Sequence, residues 1–574
     1  MKQYILSLIA TLALTLGMSS CLDLDPQDQL ADGNLWSEAN DFKYLANNFY
    51  GWTRDFSGIL NDEPHSDIRS DLMIPLNSTN SFSHGNNTIP TSDKSYTDAY
   101  NRIRRCNLLL QNAAGYTGAE SIDQYAGEAH FFRAYFHFDL VQLYGNVVID
   151  RGVMDITSPE LTAPRDDRGL VIDFCIEDLN QAAALLPDAE PEKGRITKWA
   201  AYALLSRVAL YEGTWQKFRG NETRGRELLD IAAKAAKNVM DGGAYELFKP
   251  AALGTMAYKY LFTLADAQST PVASLTKASN KEYVFYRRHD NDLSRPNLNI
   301  THGTVANAFQ ISRKFVNMYL CADGLPIDLS PLFKGYATTL SEFADRDNRM
   351  YNCFLQDGEK YWINDAGNCR VDWKGMEGED AANALTNTVT KGTGYQNRKW
   401  GTERQVNDYY EGYDFPIIRY AEVLLNYAEA VYERDGAISD PDLDLSLNLV
   451  RSRVNPEMPK LSNGLVNGNG LDMRDEIRRE RTVELYFEGF RLDDLKRWKT
   501  AEAEMPQDIV GIQWTGTEYA SKWATESGTP KDASGCIVRE SGRSWTEKNY
   551  LLPLPSDQLQ LNPNLGQNTG WSAE

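Results

Sequence analysis

Apolar residues recur at helical spacing through much of the first half of the chain. The strongest case is 122–144, where Phe131, Phe132, Tyr135 and Phe138 give one wide apolar face. The same spacing predicts other helices here, one starting near Ser37 and the others at Asp98–Ala113, Gly169–Leu186, Thr197–Trp215 and Thr223–Met240. Helices of this length bury their apolar faces on their neighbours. The pattern therefore predicts a stack of paired helices.

A second helical region lies between Ile417 and Trp498. An apolar stripe from Tyr420 to Val431 predicts one helix, and Leu443–Val454 predicts the next. The segment Met473–Trp498 is rich in Glu, Arg and Leu and has no glycine or proline before Gly489, so it too is predicted to be helical.

Three long segments lack this rhythm: 55–96, 245–400 and 500–548. They are rich in Asn, Asp, Ser, Thr, Gly and Pro, which indicates loops with short strands. Loops of this length in an ordered protein are often functional. The expected fold class is mostly α, with an irregular, loop-rich part that contains short strands.

Acidic residues recur every four positions in the segment 473–498. Glu480, Glu484 and Glu488 would share one helix face, with Arg481 near Glu484 and Arg491 near Glu488. Such a stripe is compatible with acid/base catalysis, which needs a cleft and a second carboxylate. We interpret it instead as a structural network of arginines and carboxylates that holds the helix to its neighbours.

The first twenty residues are typical of a secretory signal. Lys2 precedes an apolar run that is too short to span a membrane, and small residues follow before Cys21. A small-residue stop directly before a cysteine resembles a bacterial lipoprotein signal, which implies that Cys21 is lipidated. An ordinary signal peptide with a chance cysteine is the alternative. Asp23 and Asp25 resemble the acidic patch of surface-exposed lipoproteins.

Charge and cysteine usage exclude several classes of protein. The 80 acidic and 59 basic residues give a net charge of −21, which argues against nucleic-acid binding. The cysteines after Cys21 are scattered and show no metal-binding spacing. Cys353 and Cys369 could pair outside the cell, but buried free thiols fit equally well.

Catalytic and metal-binding motifs are absent from the sequence. There is no phosphate-binding loop, nucleophile elbow or zinc-protease motif, and the six histidines suggest no catalytic triad. We therefore expect a protein that is not an enzyme and has no cofactor and no metal ligands. No calcium-loop spacing occurs, but the acidic loops leave a Ca²⁺ site open.

Several segments match one known pattern. The segment 473–498 follows R-x-E-R-x-x-E-L-x-F-E-G-x-R-x-x-D-L-x-R-W, and 419–430 follows R-x-A-E-x-x-L-N-x-A-E-A. The end of the chain, from Pro553 to Trp571, follows P-x-P…N-P-x-L-x-Q-N-x-G-W. On these motifs the chain resembles the SusD/RagB family, the surface glycan-binding lipoproteins of Bacteroidetes.

The resemblance implies an architecture of degenerate tetratricopeptide-like helix pairs. On that basis we expect a signal peptide at 1–20, a tether at 21–36 and a single domain at 37–574. Residues 37–244 and 401–500 would form the helical platform, while 245–400 and 501–574 would form the loop-rich part.

Glycan sites in such a family are built largely by variable loops. Aromatic faces pack against the C–H patches of sugar rings, and Asp, Asn and Arg bind hydroxyl groups. By this composition the candidate glycan-binding residues are Asp67, Asp71, His84, Tyr96, Tyr286, Arg288, Trp373, Tyr395 and Trp400. For each of them, packing or turn structure is the alternative role.

The resemblance also implies a role and partners. The protein would bind an oligosaccharide at the cell surface, be held to the outer membrane by its lipid, and deliver the ligand to a SusC-like TonB-dependent transporter. Three alternatives stay open at this point: a peptide ligand, a surface glycosidase, and a structural scaffold.

Overall fold

Helices dominate the N-terminal half, close to the predicted bounds. A computed structural model describes residues 35–75, 79–291, 295–298, 300–305, 309–355, 360–364, 367–370, 392–402, 409–522 and 527–571. Its first elements are α1 (Ala39–Tyr50), α2 (Phe56–Leu60), β1 (Met73–Pro75), α3 (Lys94–Ala113), α4 (Asp123–Tyr144), α5 (Arg168–Leu185), α6 (Lys198–Lys217) and α7 (Glu222–Gly242).

Local chemistry sets the ends of these helices. Helix α3 begins four residues earlier than predicted because Asp93 caps it, accepting a hydrogen bond of 2.8 Å from the backbone N–H of Ser95. Helix α4 ends at Gly145, whose φ of +75° lies in the left-handed region that glycine adopts readily. Helices α3 to α7 pack in succession, each on the next. This is the predicted stack of paired helices.

The middle of the chain is irregular, as predicted, with short elements. They are α8 (Ala257–Leu261), β2 (Tyr283–Arg287), α9 (Ile300–Val305), β3 (Phe309–Ile311), α10 (Arg313–Met318), α11 (Thr339–Phe343), α12 (Asn348–Cys353), β4 (Lys360–Asn364), β5 (Gly367–Arg370) and β6 (Phe415–Arg419). The strands form antiparallel pairs, β1 with β3, β2 with β6 and β4 with β5. The first pair matches Met73 to Ile311 and the second matches Tyr283 to Arg419.

The C-terminal part returns to helices. It contains α13 (Tyr420–Asp435), α14 (Asp440–Asp444), α15 (Leu447–Ser452), α16 (Asn463–Asn469), α17 (Met473–Glu484), α18 (Arg491–Arg497), α19 (Ala501–Glu504), β7 (Ile509–Gln513), α20 (Glu518–Lys522), β8 (Cys536–Glu540) and α21 (Ser556–Leu561). Strands β7 and β8 pair antiparallel. Helix α13 packs on α6 and α7 and extends the stack.

The prediction of one helix over 473–498 is wrong. Helix α17 stops at Glu484 and α18 begins at Arg491. Between them Phe487 and Gly489 take φ values of +59° and +78°, which an α-helix does not allow. The prediction over Leu443–Val454 is also imperfect, since α14 ends and α15 begins within that span.

The core lies between the helices of the stack. Phe131, Phe132 and Phe138 of α4 are buried there, as the apolar spacing predicts. A second buried group joins Leu229 of α7 to Leu424 of α13. Cys353 is a buried free thiol. In the part of the chain that the structure describes, no helix is both long and apolar enough to cross a membrane. The fold class is mostly α, as expected.

Candidate functional site

A buried network of ion pairs surrounds the turn between α17 and α18. Glu484 accepts hydrogen bonds from Arg419 at 2.6 Å and Arg349 at 3.2 Å, and it also pairs with Arg453. Burial would raise the pKa of Glu484, but the three guanidinium groups hold it at about 2. Arg451 donates to Glu480 at 3.0 Å. The interpretation of this acidic stripe as structural is confirmed.

Two predicted pairs in this segment have different partners. Arg481 pairs with Asp494 at 2.8 Å rather than with Glu484, and Arg491 pairs with Asp71 rather than with Glu488. The break after Glu484 explains the second difference, because it takes Glu488 and Arg491 off the face of α17. Glu488 binds Arg419 at 2.7 Å instead.

An open groove lies over this turn. Its first cleft encloses about 380 Å³, within the range of small-molecule sites. Most of its lining comes from three regions: the loop and helix from Trp52 to His65, the first turns of α3, and the face of α4 that carries Tyr135, Asp139 and Leu143. Gly489 forms part of its floor, where a β-carbon would lie only 2.8 Å from the carbonyl oxygen of His65.

A second cleft of about 320 Å³ continues the first. The two share the wall made by Glu63, Pro64, Lys94 and Ser95. The second cleft extends to Leu552, beyond the start of α3. Together they form an elongated groove, which is the shape that a chain of sugar units or a peptide would need. We call it the surface groove.

Aromatic and hydroxyl groups line one end of the surface groove. Trp52 is half-buried, with its ring 5.6 Å from that of Phe49. Tyr135 is 5% exposed, and its hydroxyl makes no hydrogen bond within the described residues. This end of the groove therefore offers the partly exposed indole of Trp52, while the Tyr135 hydroxyl is buried behind it.

The charged groups at the floor of the surface groove pair with one another. Asp139 accepts a hydrogen bond of 3.0 Å from Arg54 and lies 3.1 Å from His65 Nε2. His65 Nδ1 is 2.7 Å from Asp493. Burial would raise the pKa of Asp139, but His65 and Arg54 hold it well below its usual range. Asp139 is therefore an ionised acceptor at neutral pH.

Asp67 and Asp71 do not bind ligand from the surface. They are 1% and 2% exposed. Asp67 accepts hydrogen bonds from the backbone N–H groups of Arg491 (3.2 Å) and Gly489 (3.4 Å), and burial raises its pKa to about 7. Asp71 pairs with Arg491 and with Lys314. Both carboxylates fasten the loop after α2 to the turn before α18, which corrects their predicted role.

Three predicted aromatic contacts are core residues. Tyr96 of α3 packs on Tyr144 of α4, and the Tyr395 hydroxyl donates to Glu342 at 2.7 Å. Trp400 is fully buried beneath the groove, where its Nε1–H donates to the carbonyl oxygen of Phe487 at 3.0 Å. Their burial leaves no face for a sugar ring, so the predicted role is corrected for these residues as well.

The other predicted residues lie elsewhere. His84 is half-buried, with Nε2 3.3 Å from the carbonyl oxygen of Ser541. The Tyr286 hydroxyl donates to Glu190 at 2.8 Å, and Arg288 is exposed just after β2. Trp373 and Cys21 lie outside the described residues. None of the eight predicted contacts that the structure describes lines the surface groove.

The residues that do line the groove come partly from segments predicted to be regular. They include Trp52, Arg54, Lys94, Asp98 and Asp139. Asp139 belongs to the helix with the widest apolar face, and the only signal for it is an acidic residue between the apolar positions Phe138 and Leu140. The irregular segment 55–96 lines both clefts, the first from Asp55 to His65 and the second with residues that include Arg69, Phe82 and Thr88. Within the described residues no group of three His, Cys, Asp or Glu side chains is arranged to hold a metal ion.

Comparison with protein families agrees with this fold. Residues 268–571 match the model of the SusD family, and residues 22–210 match a model described as starch-binding associating with outer membrane. The first match alone covers more than half of the chain. The chain belongs to the SusD family.

Relatives in this family share the fold at low sequence identity. A SusD-like protein of Bacteroides ovatus is 23% identical over 456 residues, covering 77% of this chain and 73% of its own. A crystal structure of a SusD-like protein from Bacteroides fragilis has a TM-score of 0.71 at 23% identity, covering 95% of this chain and all of that one. A SusD-like carbohydrate binding protein from the same species also has a TM-score of 0.71, at 21% identity, covering 93% of this chain and all of its own.

Proposed function

We propose that this SusD family protein binds an oligosaccharide in the surface groove and delivers it to a SusC-like TonB-dependent transporter. The observation that carries the proposal is the groove itself, two joined clefts that are open to solvent and bordered by Trp52. A sugar ring packs its C–H face on an indole, and neighbouring units of the chain would extend toward Leu552.

The polar lining of the groove suits hydroxyl groups. Lys94 and Ser95 stand on the wall shared by the two clefts, and Asp98 lies one turn further along α3. Lys94 is 91% exposed and pairs with Asp98 at 3.6 Å, and Asp98 also lies 3.8 Å from Arg102, so these charges are held by long surface ion pairs that a hydroxyl group could join. Each hydrogen bond to a sugar hydroxyl would contribute about 1 kcal/mol. Affinity then depends on several sugar units binding together.

The state of the carboxylates favours capture without bond cleavage. A glycosidase needs one protonated acid with a raised pKa beside a second carboxylate. Asp139, in the groove, is held ionised by His65 and Arg54. Asp67 has a raised pKa, but it is buried and does not line the groove. Asp67 is therefore not placed to protonate a ligand in the groove.

The surface location rests on two further supports. The family model that matches residues 22–210 is described as associating with outer membrane. Cys21 follows a signal-like segment, and lipidation there would keep the protein at the membrane surface. Tethering holds the groove close to the transporter and raises the effective concentration of the captured ligand.

Isothermal titration of the full chain against neutral oligosaccharides of glucose, xylose, mannose and galactose tests the proposal. We expect one glycan class to bind, and Trp52→Ala to weaken it about tenfold, since ring packing contributes about 1–1.5 kcal/mol. Trp199→Ala is the matched control, because Trp199 is also half-buried but lies outside the groove.

Two results would overturn the proposal. Binding of a peptide pool in place of every glycan would assign the groove to another ligand. New reducing ends after long incubation with the bound glycan would show cleavage. Co-purification with a TonB-dependent barrel protein tests the delivery step separately.

A further inference from the structure

A second open cavity, of about 530 Å³, lies away from the surface groove. It is formed where the start of α5 faces the junction of α6 and α7. Arg168, Leu170, Trp215, Gln216, Arg219 and Arg224 are among its lining residues. No residue described for this cavity also lines the groove. We call it the arginine pocket.

Two arginines lie against the same indole ring in the arginine pocket. The guanidinium carbon of Arg168 is 3.8 Å from the ring centroid of Trp215, and that of Arg219 is 3.4 Å from it. The Trp215 ring, which is 7% exposed, therefore fixes both side chains in place. Their donors are held ready for a ligand without the entropy cost of ordering a flexible side chain.

The pocket is lined by three arginines and by the carboxylates of Asp167 and Asp173, and not every arginine is paired. Arg168 is paired with Glu212, at 3.0 Å from Nε and 2.6 Å from Nη2, and Arg224 is paired with Asp173. Arg219 has no carboxylate within ion-pair distance in the described part of the chain. It donates only to the carbonyl oxygens of Lys496 (3.1 Å) and Trp215 (3.4 Å).

Unused hydrogen-bonding capacity accompanies this charge. The Nη1 atom of Arg168 is buried and makes no hydrogen bond within the described residues. The side-chain amides of Gln216 and Asn221, which also line the pocket, are already used: Gln216 Nε2 donates to Glu212 at 2.6 Å and Asn221 Nδ2 donates to Gln216 at 3.1 Å. Buried donors without partners cost free energy, so an acceptor that entered the pocket would remove part of that cost.

Positively charged groups that lie close together behind the pocket also favour anion binding. Burial lowers the pKa of Lys496 to about 8; Asp493 opposes this, and the nearby charges of Arg168 and Arg219 add to it. Burial also lowers the pKa of Arg219, with Arg168 contributing repulsion and Tyr211, Tyr550 and Glu547 opposing it. A bound anion would relieve the repulsion between these like charges.

We propose that the arginine pocket binds an oxyanion group, a carboxylate or a sulfate, through the guanidinium of Arg219. The planar fork of a guanidinium matches two oxygens of such a group. The anion can be a free ion or a substituent on an acidic glycan, and both sources present the same chemistry. The pocket is a site separate from the surface groove, and it does not rest on the function proposed for that groove.

Equilibrium dialysis of the full chain with radiolabelled sulfate, at constant ionic strength in sodium chloride, tests this site. We expect one saturable site per chain, for which sodium glucuronate competes. Arg219→Gln should weaken sulfate binding at least tenfold, about 1.4 kcal/mol, since it removes the charge-assisted hydrogen bonds to the anion. Arg226→Gln is the control, because Arg226 is 71% exposed on α7 and lies outside the pocket.

A second variant tests the site independently, in case Arg219→Gln does not fold. Asn221 is the residue before α7, and its side chain makes no capping hydrogen bond to the helix. Asn221→Asp therefore keeps the fold while it places a negative charge at the pocket, and sulfate binding should fall by a similar factor. Trp52→Ala in the groove should leave it unchanged.

Two results would overturn the proposal, and a third would identify the source of the anion. Absence of saturable sulfate binding by the wild-type chain would overturn the proposal. Equal sulfate affinity in the wild type, Arg219→Gln and Asn221→Asp would place the anion elsewhere and overturn it as well. Competition by a sulfated oligosaccharide, but not by its desulfated counterpart, at concentrations well below those of free sulfate would identify an acidic glycan as the source.

Discussion

Arg491 donates two hydrogen bonds of 2.8 Å to Asp71, from Nε to Oδ1 and from Nη2 to Oδ2. The two residues are 420 positions apart. Lys314 lies 2.7 Å from the same carboxylate. Through these contacts the turn before α18 is fixed to the loop after α2, which also supplies His65 to the groove floor. The surface groove is therefore built on a buried ion pair between distant parts of the chain.

Asp71→Asn should destabilise the protein strongly. The change leaves Arg491 and Lys314 without their shared counter-charge, and breaking a buried pair costs about 3–5 kcal/mol. Urea unfolding measures the free energy of unfolding. Glu177→Gln is the control, since Glu177 pairs with Arg151 at 3.8 Å on the surface and should change stability by less than about 1 kcal/mol. Equal effects of the two substitutions would contradict the structural role of Asp71.

The pKa of Asp67 predicts a pH dependence of stability. Its pKa is about 7 in the folded protein against an ordinary 3.8. Between these values the folded protein binds more protons than the unfolded chain, so stability falls as the pH rises, and the full cost is present above about pH 7. Asp67→Asn does not titrate. Its free energy of unfolding minus that of the wild type should therefore increase from about pH 5 to about pH 7.5.

Urea unfolding of both proteins across that range checks this prediction. Other titrating groups are common to the two proteins and cancel in the difference. A difference that stays constant with pH would show that Asp67 is ionised in the folded protein throughout.

Gly489→Ala should disturb the groove floor. The φ of Gly489 is +78°, and a β-carbon there would lie 2.8 Å from the carbonyl oxygen of His65. The left-handed backbone alone costs about 1–2 kcal/mol with a side chain, and the clash adds to it. Gly470→Ala isolates the first cost, because Gly470 has a φ of +65° with open space around it.

Urea unfolding measures the free energies of unfolding of Gly489→Ala and Gly470→Ala, and their difference isolates the cost of the clash. Gly489→Ala should be the less stable of the two, and it should bind glycan more weakly than the wild type. Equal destabilisation would mean that the floor accommodates a β-carbon.

Helices could be predicted from the sequence because their signals are local. The apolar face of α4 and the caps of its neighbours lie within a few residues of the elements that they define. The break between α17 and α18 has a different origin. Phe487 takes a φ of +59° although a phenylalanine gives no sign of it, and tertiary contacts such as that of Trp400 Nε1 with its carbonyl oxygen hold the turn.

The candidate site was harder to predict for a related reason. Asp67, Asp71 and Tyr395 occur in irregular, polar segments, and such segments usually lie at the surface. Their burial depends on partners distant in sequence, Arg491 for Asp71 and Glu342 for Tyr395, which no local pattern reveals. Conversely, Asp139 lies on a helix whose other positions are mostly core.

A crystal structure of the full chain with the glycan selected by titration tests the central claim most directly. We expect sugar rings in the surface groove, one of them against the indole of Trp52 and the next units passing Lys94 and Ser95. Sugar density at any other place on the protein, with the groove empty, would contradict the claim.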